Sequence, residues 1–553
     1  MAFCSPNSDV ENGVPLLKDS VDGCSDQYRG KGGGWRSAYF IIVAEMAERF
    51  AFQGIGSNLI TYLSGPLGES TATAAENVNT WFGTARLLPV FGGFVADSFL
   101  GRYRTIVASS VIYVLGLGLL TLSVTLTSDC QNTSCSGNYQ FKVILFFFSL
   151  YLVALAQGGH RPCLQAFGAD QFDENDPEES KMKSSFFNWW YCGLCMATLC
   201  TYLVTSYIQD NINWGLGFGV LFISVSLAFI VLLLGAKTYR FSIRTNEKNP
   251  FWRIGKVFVA AIRNHRATIP AVALGEVSQQ FKFLNKALLV VPSGSGEHAE
   301  VCSISDVEEA KAILRLAPIW TISLIYGIVL SQPATFYTKQ GATMDRSVTP
   351  SFNIPPASLQ SLLTLGIVVT VPIYDWIFVP IARSFTGKPA GITTLQRIGT
   401  GMFLSVIHMV VAALIEMKRR HTAEEHGLVD HPNVTIPMSV CWLMPQYLIC
   451  GVSEAFSMVG FQEFFYDQVP TELRSVGVSL YLSIFGVGSF LSSFLISAIE
   501  KATGGAGHHS WFANNLNRGH LDYFYWLLAL LSAISFFVYL QSAKSFIYRR
   551  EIN

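Results

Sequence analysis

From Trp35 onward the chain alternates between long apolar runs and short polar breaks. The runs fall at 35–63, 77–99, 104–127, 141–166, 184–208 and 214–236. They resume at 311–338, 357–382, 393–416, 438–464, 474–499 and 521–543. Each is long enough to cross the roughly 30 Å apolar core of a bilayer as a helix. Thr105–Ser128 and Trp214–Ala236 contain no charged residue at all. A polar segment from Lys237 to Glu309 separates the two sets of six. The pattern predicts an all-α membrane protein with twelve spans.

Composition agrees. Half of the 553 residues are hydrophobic and 14% are charged, against about 25% in soluble domains. Mean hydropathy is +0.37. The net charge of zero offers nothing to a nucleic acid. Lys and Arg cluster after even-numbered spans: Arg102 and Arg104, Lys181 and Lys183, Lys237 with Arg240 and Arg244, Arg383 and Lys388. Arg474, Lys544, Arg549 and Arg550 fall on the same side, so both termini are expected in the cytosol. Lys418-Arg419-Arg420 breaks this pattern, because it opens a loop on the other side. The acceptor sequons at Asn132 and Asn433 also fall outside. So does the loop holding Cys130 and Cys135, which an oxidising compartment would let pair. Residues 1–34 are polar, lack a signal peptide and read as a disordered tail. Pro15-Leu16-Leu17 after Glu11 resembles an acidic dileucine sorting signal, a vote for an internal membrane such as the vacuole over the plasma membrane.

One run carries charge at depth. In Glu45-Met-Ala-Glu48-Arg49-Phe50 the two carboxylates and the guanidinium project from one helix face. An ionisable group there costs roughly 2.5 kcal/mol or more, so it is expected to face a cavity or a partner. Two glutamates compete for one fixed cation, which is a way to gain and release a proton. A structural Glu45–Arg49 pair is the simpler alternative. No Walker A pattern, metal-ligand cluster or nucleophile elbow accompanies the triad: Gly387-Lys388 is followed by Pro389. No metal or cofactor is expected, and an ion gradient is the expected energy source. His408 stands alone in its span and is expected to pack there rather than bind a ligand. In the linker, Phe251–Arg263 alternates apolar and basic residues at helical spacing, which reads either as an amphipathic helix on the inner membrane surface or as a solvated linker helix.

Glu45-x-x-Glu48-Arg49-Phe50 resembles the ExxER[FY] motif of the proton-dependent oligopeptide transporters, the nitrate/peptide transporter family of plants. Gly92-Gly93-Phe-Val-Ala-Asp97 through Gly101-Arg102-Tyr-Arg104 is similar to the family's first signature. Gly158-Gly159-His-Arg161-Pro162, Phe186-Phe187-Asn188-Trp189-Trp190-Tyr191, Leu395-Gln396-Arg397, Gly451-Val-Ser-Glu454 and Glu463-Phe464-Phe465-Tyr466 follow in family order over about 35–545. The resemblance implies the major-facilitator architecture, with two six-helix bundles at 35–236 and 310–545, a cytosolic linker at 237–309 and a short tail at 546–553. It implies proton handling by Glu45, Glu48 and Arg49. Arg161 stands where the family usually has lysine; it keeps the charge but cannot act as a neutral lysine would. Glu454 matches the acid that meets a peptide's amino terminus. Asp97, Arg102, Arg104, Asp375 and Arg383 match cytosolic-gate positions. Arg102-x-x-Thr105 also reads as a kinase site at that gate, or as a helix cap.

The pocket departs from the peptide carriers. Phe52 and Gln53 replace two tyrosines, Gly56 an arginine and Cys195 an asparagine. Ser331 stands for the bacterial acid, and Leu330 for the histidine of some nitrate carriers. Arg49 and Arg161 remain to attract an anion between apolar walls from Phe52, Trp189 and Tyr191. The expected function is proton-coupled transport of a small solute, nitrate first. A peptide, hormone or other organic metabolite is the alternative, and a non-transporting membrane sensor the reading from another class. A monomer working with substrate, protons and the bilayer is expected, and not an enzyme.

Overall fold

The computed structural model describes residues 32–128, 136–173, 176–241, 250–265, 281–288, 302–349, 352–387, 392–469, 474–504 and 510–546. The first set of long helices comprises α1 (Trp35–Gly56), α2 (Thr71–Val95), α3 (Arg102–Ser128), α4 (Ser136–Ala169), α5 (Pro177–Cys200) and α6 (Trp214–Leu234). The second comprises α7 (Ile304–Val329), α8 (Gln360–Ile373), α9 (Thr394–Glu425), α10 (Met444–Asp467), α11 (Arg474–Thr503) and α12 (Leu521–Ser545). Among the described residues, nine helices are long and apolar enough to cross a membrane. The helices α1, α2 and α10 fall outside that set, although they are 22, 25 and 24 residues long. These are the helices that carry Glu45, Glu48 and Arg49, Arg86, and Glu454.

Contacts divide the helices into two groups built alike. In the first group α1 packs on α5 and α6, α2 on α4, and α3 on α4 and α6. In the second, α7 packs on α11 and α12, α8 on α10, and α9 on α10 and α12. Every one of these pairs recurs six helices later, as an internal repeat requires. The groups meet where α2 lies along α11 and α5 approaches α8.

The first helix of each group is broken at the same end of the molecule. α1 stops at Gly56 and resumes as Leu59–Ser64. α7 stops at Val329 and resumes as Phe336–Ala342, because Pro333 has no N–H to continue the ladder. The two continuations meet, with Lys339 Nζ donating to Ser64 Oγ at 2.7 Å. Around them Gln360 Nε2 donates to the Ser57 carbonyl at 2.9 Å, Ser358 Oγ to the Tyr202 carbonyl at 2.5 Å, and Arg346 pairs with Asp210 at 3.2 Å. The α2–α11 seam continues this closure from Thr71 on Asn514 to Asn79 on Ser492.

Three expectations change in detail. Residues 438–439 lie in a strand rather than a helix: Ile436–Ser439 pairs in parallel with Met344–Asp345, a 3-10 turn follows over Val440–Leu443, and α10 begins at Met444 with Pro445 in its first turn. α9 runs on to Glu425, so Lys418, Arg419 and Arg420 belong to a helix rather than a loop. Their charge is also answered locally. Arg419 and Glu416 are fully buried and joined by two hydrogen bonds of 2.8 and 2.6 Å. Arg419 also donates to Asn517, Thr343 and the Leu516 carbonyl, and Gln340 donates to Glu416. Arg420 pairs with Asp522 at 2.9 Å, and Lys418 sits 3.2 Å over the Trp442 ring. All three cations of this triplet thus have partners within the protein.

The linker helix forms over Pro250–Arg263. Ile254, Val257 and Ala261 are buried against Leu284, Ala287 and the start of α7, where Arg253 pairs with Asp306 and Glu309. This apolar face docks on protein rather than on the bilayer. The opposite face exposes Trp252, Val259 and Ile262.

Two outcomes follow from this architecture. Arg419→Ala strands a buried Glu416 and is expected to cost about 3–5 kcal/mol, a lower melting midpoint in detergent than either wild type or Arg420→Ala; an unchanged midpoint would contradict it. Cysteines replacing Ser64 and Lys339 are expected to be joined by a short bifunctional reagent in native membranes, and absence of the crosslink would show that this closure is not populated.

Candidate functional site

Beyond the closure, on the side of the chain ends, a cavity of about 380 Å³ opens between the two groups. Aromatic packing sets the α1 wall. Phe52 stacks on Trp81 with ring centroids 5.0 Å apart, and Trp81 Nε1 donates to the Leu150 carbonyl at 3.0 Å. This ties α1 to α2 and α4 and turns Arg49, Phe52 and Gln53 into the cavity. Gln53 is held by a 3.1 Å hydrogen bond to the Tyr202 hydroxyl.

Glu45 and Glu48 lie behind these residues, 1% and 2% exposed. They are within electrostatic reach of Arg49 and Arg161. Yet among the described residues no ion pair joins either glutamate to either arginine, so the simple Glu45–Arg49 pair is not formed. Both carboxylate oxygens of Glu48, one of Glu45 and the Arg49 Nε have no hydrogen-bond partner. The buried Tyr113 hydroxyl and His160 Nδ1 beside them are unpartnered too, with their rings 6.1 Å apart. A buried unsatisfied polar group costs about 1–3 kcal/mol. The cluster therefore holds unspent capacity to bind a proton or an ion.

Glycines place the two charged walls. A Cβ at Gly92 would lie 2.0 Å from the Gly158 carbonyl oxygen, so α2 and α4 touch backbone to backbone. The same crossing recurs between α8 and α10, where a Cβ at Gly451 would lie 2.3 Å from the Leu363 carbonyl oxygen. Three residues after each crossing glycine comes a charge: Arg161 after Gly158, Glu454 after Gly451. Both line the cavity. The repeat thus presents opposite charges from equivalent positions.

Of the other expected substrate residues, Tyr191 and Leu330 line the cavity and two do not. Trp189 is 63% exposed and off the cavity wall, since it is two residues from Tyr191 on a helix and faces another way. Ser331 is buried behind the wall, hydrogen-bonded to the Gly327 carbonyl and Ser489. Arg86 on α2 was not anticipated from the sequence. It lines the cavity, sits 5.0 Å over the Phe82 ring and donates to Ser489 Oγ at 3.2 Å. Its lone position in an apolar run was the available signal.

Among the gate positions, Arg102 pairs with Asp170 at 2.6 Å within the first group, Arg104 is exposed, and Arg383 is exposed at the end of Val379–Thr386. The side chains of Asp97 and Asp375 lie outside the described residues, as do Asn132, Cys130 and Cys135. Thr105 is only 5% exposed, and its hydroxyl donates to the Gly101 carbonyl at 3.0 Å, so it is a buried helix-start residue and not an accessible kinase site. Asn433 is exposed. His408 is buried as expected, 2.6 Å from the Tyr337 hydroxyl.

Comparison with known proteins fits this geometry. The sequence profile of the POT family matches residues 103–512. The chain is 61% identical over 557 residues to Protein NRT1/ PTR FAMILY 5.10 of Arabidopsis thaliana, covering 98% of each. It is 54% identical to Protein NRT1/ PTR FAMILY 5.12 of the same plant over 556 residues, again 98% of each. Its fold is similar to the crystal structure of an auto-inhibited POT family peptide transporter, with a TM-score of 0.71 at 20% identity over 94% of this chain and 98% of that one. A membrane-spanning helical fold with a charged cavity at the meeting of its two halves, and similarity over nearly the whole length, establish that this chain belongs to the POT family of transporters.

Proposed function

We propose that the chain is a proton-coupled secondary transporter that moves a small anion by alternating access, with nitrate the best single substrate. The observation that carries this reading is the placing of cavity-facing Arg49 and Arg161 beside the buried carboxylates of Glu45 and Glu48, where both Glu48 oxygens and one of Glu45 lack a hydrogen-bond partner. An anion entering the cavity screens the arginines and weakens their hold on the carboxylates, which then favour a proton. Proton and anion each make the other bind more tightly, which is what coupling requires. With the termini in the cytosol, the closed face is the outer one and this is an inward-facing state. Glycosylation of Asn433 on that outer face belongs to the same topology. The membrane is vacuolar or plasma membrane, and the chain acts as a monomer.

A second reading has its own observation. Glu454 faces the arginines across a cavity much larger than nitrate, an arrangement that suits an organic solute carrying both charges, including a di- or tripeptide.

Labelled nitrate flux into proteoliposomes under an inward proton gradient tests the reading, with a dipeptide alongside. Nitrate accumulation that collapses with a proton ionophore is the expected result, and no movement of nitrate by folded protein would hand the reading to the organic solute. Glu48→Gln is expected to abolish gradient-driven uptake while counterflow exchange partly survives. Loss of both together would make Glu48 structural instead.

A further inference from the structure

We propose that Arg86 is a third anion ligand of the cavity and the residue that makes it prefer planar oxyanions to spherical ones. The inference rests on the anion-transport reading above and adds to it a residue from α2.

The environment of the half-buried Arg86 is unlike that of Arg419. Arg419 spends its donors on Glu416, Asn517, Thr343 and the Leu516 carbonyl, and is fully buried. Among the described residues Arg86 makes one hydrogen bond, to the neutral hydroxyl of Ser489. No described carboxylate forms an ion pair with it. A guanidinium has five N–H donors in a rigid plane. The guanidinium packs over Phe82, 5.0 Å from the ring centroid, and the residue lines the cavity. The charged and titratable groups around it come from every wall: Arg49 on α1, Arg161 on α4, Tyr202 after α5, Glu454 on α10 and Tyr481 on α11. Only one of these, Glu454, is an acid, and it does not pair with Arg86. Three arginines thus converge on one space with a single carboxylate on its wall.

A planar fork suits the two in-plane oxygens of nitrate or a carboxylate, whereas chloride rewards only charge. Lysine supplies the charge without the fork. Arg86→Lys and Arg86→Gln therefore separate shape from charge.

The test is nitrate and chloride binding to the full-length protein in detergent at constant ionic strength, followed by thermal unfolding. Arg86→Gln is expected to weaken apparent nitrate affinity by about tenfold or more. Arg86→Lys is expected to hold chloride affinity within about threefold of wild type while nitrate affinity falls, so that the nitrate-to-chloride preference narrows. A purely structural role would lower the melting midpoint of the anion-free protein and leave that preference alone. If Arg86→Gln does not fold, the lysine variant decides. Wild-type preference in the folded variants overturns the role of Arg86 and spares the transport reading. A wild-type protein that binds neither ion overturns the anion reading and this inference with it.

Discussion

Charge buried inside an apolar helical bundle must be answered, and the rest of this structure follows from how each charge is answered. Two solutions coexist in one chain. The Glu416–Arg419 pair is closed: every strong donor and acceptor has a partner, and exposure is zero. Such a pair is rigid and does no chemistry. The Glu45, Glu48, Arg49, Arg161 cluster is open: its members feel one another's charge but leave several polar atoms unpartnered. The cost of leaving them so is what a ligand can relieve.

The open cluster stays open because backbone and aromatic packing, not ion pairing, hold its members in place. Phe52 on Trp81 fixes α1. The Gly92–Gly158 and Gly366–Gly451 crossings fix α4 and α10. No charge is consumed in positioning, so the charges remain available to solute and proton. The breaks in α1 and α7 complete the device. Their short continuations meet through the Lys339–Ser64 hydrogen bond, with the Gln360–Ser57 hydrogen bond and the Arg346–Asp210 ion pair beside them, so one end of the cavity is closed by a few single contacts.

Much of this was legible in the sequence, because membrane helices announce themselves by length and because a charge inside one is conspicuous. The triad Glu45, Glu48, Arg49 stood out for that reason, while Arg161 and Glu454 were picked out by resemblance to the family's motifs. What stayed hidden depended on which way a helix face turned. Trp189 and Tyr191 look equivalent in a string, but only Tyr191 meets the cavity. Ser331 sits at the right height but behind the wall. Arg86 went unremarked in the sequence, and only the α2–α11 seam brings it out, beside Ser489. Lys418-Arg419-Arg420 looked like a misplaced topology signal because the span was ended at residue 416; once the helix continues, Glu416 and Arg419 are neighbours three residues apart, whereas Asp522 lies on another helix. At Thr105 the pattern left a kinase site and a helix cap both open, because burial against Gly101 and Gly159 is a property of helix packing.

The central claim is that one charge cluster binds the anion and the proton together. Proton uptake on adding nitrate to purified protein in weakly buffered detergent solution, followed with a pH-sensitive dye, tests it most directly. The account predicts that nitrate draws protons onto the protein and that Glu45→Gln with Glu48→Gln abolishes the signal while nitrate still binds. Nitrate binding with no exchange of protons in the wild-type protein would contradict it.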